Sequence, residues 1–187
     1  MTTPLKTSIA LFAAVLLTVP ATARAQFPTY VAKGACPFEC CTYGLWPVKA
    51  RTDVRPSPDM SAPTIAHLVP GTQVQALTGE VHVTPGLARV TGRPHSSAAE
   101  LDSTRLIEIL DYIGEGYSRV RQGQHLSQVK IARTKKECST RANWRYCWVD
   151  VVREPVSTWW VQVRLPDAGL GWVLMNGTVA ATDACGG

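Results

Sequence analysis

From Val48 onward the chain alternates apolar and polar positions in short runs, the period-two signature of half-buried strands. Residues 48–54 alternate; residues 55–59 then form a loop, because Pro56 and Pro58 deny the ladder its donors. Residues 65–69 read as a strand ended by Pro70 and Gly71. Val74, Ala76 and residues 77–81 supply the next strands, and Pro85 with Gly86 predicts a tight turn before residues 87–90. Residues 91–100, with Pro94, His95 and two serines, read as a linker or long loop. A helix over 98–110 is the alternative for the next segment, but Ile107, Ile109 and the stop at Gly114 and Gly116 favour a strand over 106–113. Residues 117–121 and 126–131, separated by Gly123, complete a three-strand meander. Residues 144–152 predict a strand with aromatics on both faces, and 158–165 alternates from Trp159 through Val161 and Val163. The last strand, 170–174, comes after a turn at 166–169.

The two ends read differently. Met1 to Lys6 gives a positive start, and residues 8–19 are an apolar stretch too short to span a bilayer. Ala23, Arg24 and Ala25 form a small-x-small cleavage site, so residues 1–25 read as a signal peptide. Its removal takes away Lys6 and Arg24 and no acid, lowering a formal charge of +5 by two. A charge that mild excludes a strongly basic nucleic-acid footprint. No later apolar run is long enough for a second span, so no membrane segment is expected after cleavage. Residues 26–35 show no periodicity. The cysteine-rich arm, residues 26–45, reads as a loop tied to the body rather than a ladder strand, because Pro37 and crowded cysteines interrupt it.

Gly (14) and Pro (13) against only 18% charged residues favour short strands and turns over long helices, which makes the chain mainly β. All six cysteines, Cys36, Cys40, Cys41, Cys138, Cys147 and Cys185, lie after the expected cut, and an even count in an exported chain predicts disulfides. Cys138 and Cys147 read as a hairpin staple. The partner of Cys185 stays open among Cys36, Cys40 and Cys41. Lys33 stands where a lipobox needs an apolar residue, so soluble export to the periplasm or exterior is expected. The tail, residues 177–187, is expected to be held by Cys185.

Asp53, Val54, Arg55 and Pro56, then residues 65–68, the step from Gly71 to Val74, Trp160 to Val163, and finally Gly171, Trp172 and Val173 resemble, in this order, the bacterial SH3-like domain of exported and cell-envelope proteins. Asp53 replaces the family's usual Asn. About seventy residues separate Val90 from Trp159, more than one such barrel needs, so either a large insertion or a second barrel occupies the middle. The stretch 114–120 resembles a second copy of the family's aromatic step. The resemblance implies one or two small SH3-like barrels with a disulfide-tied N-terminal arm and C-terminal tail. The units are 46–100 and 101–176, the latter a second barrel or an insertion plus closing strands. It also implies a habit of ligand binding rather than a reaction. In such a barrel Gly171 permits close approach and Trp172 fills the end.

Candidate chemistry is sparse. No histidine sits at ligand spacing near the cysteines, so neither a metal nor any other cofactor is expected. Glu80 and His82 alternate on one strand face and read as solvated polar residues, as do the isolated His67, His95 and His125. No catalytic residue is assigned, because the chain lacks room for a cysteine-peptidase domain and has no Ser-His-Gly…Cys arrangement. The aromatics carry more. Trp144, Tyr146 and Trp148 share a face if their segment is extended, whereas Trp159 and Trp160 point oppositely, so one of those two is exposed, bridges units or lines a groove. Trp144, Tyr146, Trp148 and Trp159, with Arg145 and Arg164, are therefore the candidate ligand surface, rings stacking and guanidinium groups taking carboxylates; core packing is the competing reading. The expected function is a non-catalytic, exported binding module for a cell-wall peptide or an envelope protein. The alternatives are a structural or inhibitor-like partner of a secreted enzyme and, last, a small hydrolase or metal protein using Glu80 and His82.

Overall fold

Fourteen strands, every ladder antiparallel, make up most of the described residues, which are 30–35, 40–92, 101–132, 138, 146–165 and 169–183 of this computed structural model. The protein is mainly β, as its composition requires.

The spine of the first sheet is β6 (Gln73–Thr84). One edge of β6 carries β12 (Val156–Arg164) along its length. The other carries β3 (Leu45–Pro47) at its start and β1 (Tyr30–Lys33) at its end. Beyond β12 lie β13 (Leu170–Leu174), β4 (Thr52–Arg55) and β5 (Ala66–Leu68). The second sheet runs β10 (His125–Lys130), β9 (Tyr117–Gln122), β8 (Leu106–Gly114), β7 (Gly86–Val90) and β11 (Val149–Arg153). A third, small ladder joins β2 (Cys41–Thr42) to β14 (Thr182–Asp183).

Period two governs which side chains go inside, and one bulge explains its phase. In β6, Val74 and Ala76 are buried, then Gly79, Val81 and Val83. The inward phase shifts by one where Gln162 pairs Thr78 but Val163 pairs Ala76, leaving Leu77 as the extra residue. The first core gathers Trp46, Val54, Val74, Val161, Val163 and Val173. The second gathers Ile107, Ile109, Val120, Val129 and Trp148.

Several sequence expectations change. The arm is not a loop outside the ladders: β1, β2 and β3 all pair, because Tyr30–Lys33 finds the free edge of β6. Pro85 and Gly86 are no hairpin turn, since β6 pairs β12 while β7 pairs β11. Two strands instead cross from the first sheet to the second side by side, at Pro85–Gly86 and at Glu154–Pro155. A Cβ on Gly86 would lie 2.6 Å from both the Arg153 carbonyl oxygen and the Pro155 nitrogen. Residues 86–153 thus form their own sheet, nested between the strands of the first. Trp172 is half-buried on the face opposite the core, and Trp46, 0% exposed, fills the interior. Gly171 does permit close approach: a Cβ there would collide with Val54 Cγ1. The described part of the tail is held by backbone pairing, through β14 and the Val48–Val179 bridge.

Cys138 and Cys147 are bonded, as their spacing predicts, and Cys40 and Cys41 are each in disulfides. Cys36, Cys185 and the whole of residues 1–25 lie outside the described residues. No helix among the described residues is long and apolar enough to cross a membrane.

Candidate functional site

The sequence-derived aromatic surface is not one surface. Trp148 sinks into the second core at 3% exposure, its Nε1 donating to the Lys130 carbonyl at 3.1 Å. The strand there begins only at Val149, so the extended face expected from residue 144 does not continue through Tyr146 and Trp148. Trp159 belongs to the first core. It meets Trp46 edge-on at 6.0 Å, and Trp46 in turn stacks on Tyr43 at 5.7 Å. Trp160 points the other way and is only 2% exposed, while Trp159 is half-buried, so of the three expected roles (exposed, bridging or groove-lining) open exposure does not describe Trp160. Arg164 is exposed at the end of β12. Tyr146 packs over Lys130 at the far side of the second sheet. Trp144 and Arg145 lie outside the described residues. Core packing accounts for Trp148 and Trp159.

An open groove of about 220 Å³ lies instead where β4 starts and β13 ends. Alternation along β4 turns Asp53 and Arg55 outward and Val54 inward. Arg51 stands just ahead on the same side, exposed and, among the described residues, without an ion-pair partner. The far wall is an Asx turn in which Asn176 Oδ1 accepts from the Thr178 amide and hydroxyl at 3.3 and 2.9 Å, with Gly177 supplying the positive φ of 92°. Leu174 and the exposed Met60 give the groove an apolar lip. Met60 is presented by the 56–64 loop, which is folded by its own bonds. The Arg55 guanidinium donates to the Ala62 carbonyl, and the Ser61 amide donates to Asp59 Oδ1 at 2.8 Å, holding that carboxyl below its ordinary range.

The groove's electrostatics favour an anion. Asp53, which lines the groove, is turned to its cross-strand partner on β5, His67 Nδ1, at 2.8 Å, while Asp59 in the neighbouring loop feels the Arg55 charge. Arg51 is left exposed, with the half-buried Arg55 beside it and hydroxyl and amide groups opposite, which is the chemistry that takes a carboxylate.

No family model, no curated protein and no solved structure matches this chain. Glu80 and His82 do meet, Nε2 to Oε2 at 3.0 Å, both partly buried. Like Asp53 and His67, they form an isolated two-residue hydrogen-bonded pair. Among the described residues no three His, Cys, Asp or Glu side chains gather for a metal.

A second polar cluster sits where the sheets meet. A bulge in β8 places Leu110 and Asp111 opposite the single residue Arg119, so Asp111 turns inward to 5% exposure and pairs Arg119 Nη1 at 3.1 Å. The same guanidinium donates to the Tyr30 hydroxyl of β1. Burial outweighs the arginine and raises the Asp111 carboxyl above its ordinary value. A raised folded value means that this site's stabilising contribution is complete below about pH 3.8 and is lost as pH rises through the raised value. Asp111→Asn is thus expected to gain stability relative to wild type as pH climbs from 4 to 7. Arg119→Met, which strands a buried carboxylate, is expected to lose about 2 kcal/mol at pH 7 and less at pH 4. Urea titrations of the three proteins at both pH values check this, and parallel pH profiles would refute it.

Proposed function

We propose that the protein is an exported, non-catalytic binding module. The first sheet serves as an SH3-like scaffold that presents the Arg51–Arg55 groove to a carboxylate-bearing cell-wall peptide. One observation carries the reading: an exposed arginine with no ion-pair partner among the described residues stands over an open groove whose neighbouring acid is already engaged by His67. Two guanidinium groups beside Asn176 and Thr178 suit a carboxylate, and Met60 with Leu174 suits a short aliphatic side chain next to it. The signal-like start of the sequence and the oxidised cysteines support a location outside the reducing cytoplasm. The order of SH3-like motifs supports the scaffold.

Isothermal titration with soluble cell-wall peptide fragments, and co-sedimentation with purified sacculi at low salt, test the proposal. Arg51→Glu is expected to weaken peptide binding about tenfold, roughly 1.4 kcal/mol, while leaving the melting profile unchanged. Unaltered binding by that variant would remove the groove from the reading. Failure to bind fragments or sacculi, with co-purification of an envelope enzyme instead, would favour an inhibitor-like partner.

A further inference from the structure

On the second sheet, away from the groove, three tyrosines and a lysine stand together without forming part of a core. Tyr117 opens β9 and is 40% exposed. Its cross-strand partner is Lys130, at the end of β10. The Lys130 ammonium lies 5.6 Å from the Tyr117 ring centre and 5.0 Å from that of Tyr146. Space for the lysine stem comes from Gly116, where a Cβ would meet Lys130 Cε at 2.9 Å. Tyr112, 41% exposed, leans over the same hairpin and accepts from the Gly116 amide at 3.0 Å. Ala132 donates to the Tyr146 carbonyl at 3.0 Å, fixing that ring beside the strand end.

Charge separates this cluster from the rest of the sheet. Arg119 and Arg121 are each paired to a carboxylate, Asp111 and Glu108. Glu115, in the adjoining turn, is already engaged. Lys130 has no acid partner among the described residues. Contact with two rings positions a cation without cancelling its charge. In sequence, the connection after Ala132 carries Arg133, Lys135, Lys136, Arg141 and Arg145 against the single acid Glu137.

We infer that the Tyr117–Lys130–Tyr146 stack is a second binding surface, for an acidic glycan. The apolar face of a sugar ring stacks on an exposed tyrosine, and the ring's carboxylate meets the Lys130 ammonium. One cation between two rings matches a chain bearing about one acid per sugar better than the dense charge of a phosphate polymer. The mild charge of the whole protein points the same way.

The test uses the full mature protein with polygalacturonate as the acidic glycan. Dextran, single-stranded oligonucleotide and phosphatidylglycerol vesicles serve as the competing chemistries. Polygalacturonate is expected to bind in a salt-dependent way and dextran to fail. Lys130→Gln should weaken binding at least tenfold and Tyr117→Leu about fivefold, with Tyr117→Phe restoring it. Arg51→Glu should leave it intact, which separates this surface from the groove. Should Tyr117→Leu disturb the hairpin, Lys130→Gln decides alone. Equal or tighter binding of oligonucleotide or vesicles, or polygalacturonate binding indifferent to Lys130→Gln, would overturn the inference.

Discussion

Trp46→Ala is expected to destabilise the first sheet by about 4 kcal/mol, the middle of the range for deleting a buried aromatic. Trp46 is 0% exposed, stacks on Tyr43, meets Trp159 edge-on, and donates its Nε1 to the Thr42 carbonyl at 2.9 Å. Truncation removes the largest side chain of a small core and leaves both neighbouring rings facing a void. It also detaches the short β3 from the interior it anchors, since Trp46 pairs Val74 at the start of β6. Trp46→Phe keeps one ring and should lose less than half as much. Urea denaturation followed by far-ultraviolet circular dichroism gives both values. A loss below about 1 kcal/mol for Trp46→Ala would mean that this ring is not the centre of the core.

Gly86→Ala is expected to cost about 3 kcal/mol, although it adds a single methyl group. The new Cβ would sit 2.6 Å from the Arg153 oxygen and from the Pro155 nitrogen, both backbone atoms. A side chain can rotate away; a backbone in two ladders can move only if the crossing opens. The Arg153 guanidinium also donates to the Pro85 carbonyl at 3.0 Å across the same point, and that bond is lost when the strands part. Gly92→Ala is the matched control, because its Cβ would make ordinary contact with Trp148 at 3.4 Å. The expected signature is a lowered urea midpoint for Gly86→Ala with amide exchange accelerated at the ends of β6, β7, β11 and β12. If both variants melt within about 0.5 kcal/mol of wild type, the crossing is not a constrained feature.

Much of the architecture is legible in the chain because strand signals are local. Alternation located β4 and β12, and Ile107, Ile109 and Gly114 located the β8–β9 hairpin. Partnership is a different matter. Pro85 and Gly86 carry a turn's residue types, yet what they do depends on Arg153 and Pro155, some seventy positions away, where no local pattern points. Tyr30–Lys33 is too short to show a period and becomes a strand only because β6 offers an edge. The aromatics misled for a related reason. A tryptophan's burial is set by its sheet's partner layer, so Trp148 and Trp159 could not be sorted from open rings by spacing alone. The groove was partly visible: the alternation of 48–54 places Arg51 and Asp53 on one side, though the strand runs on to Arg55, which the sequence assigns to the following loop. Its far wall, Asn176 and Thr178, comes from the other end of the chain.

The nesting of residues 86–153 inside the first sheet has a consequence for how the molecule is made. As the chain emerges from its N-terminus, β7 to β11 can all meet before β12 exists, so the inner unit is able to mature early. The spine β6 must wait, one edge bare, until residue 164 arrives, and it is exposed meanwhile to wrong partners. Truncations that stop between 153 and 164 should therefore yield a finished inner unit carrying an unsatisfied outer one, the arrangement most prone to aggregate.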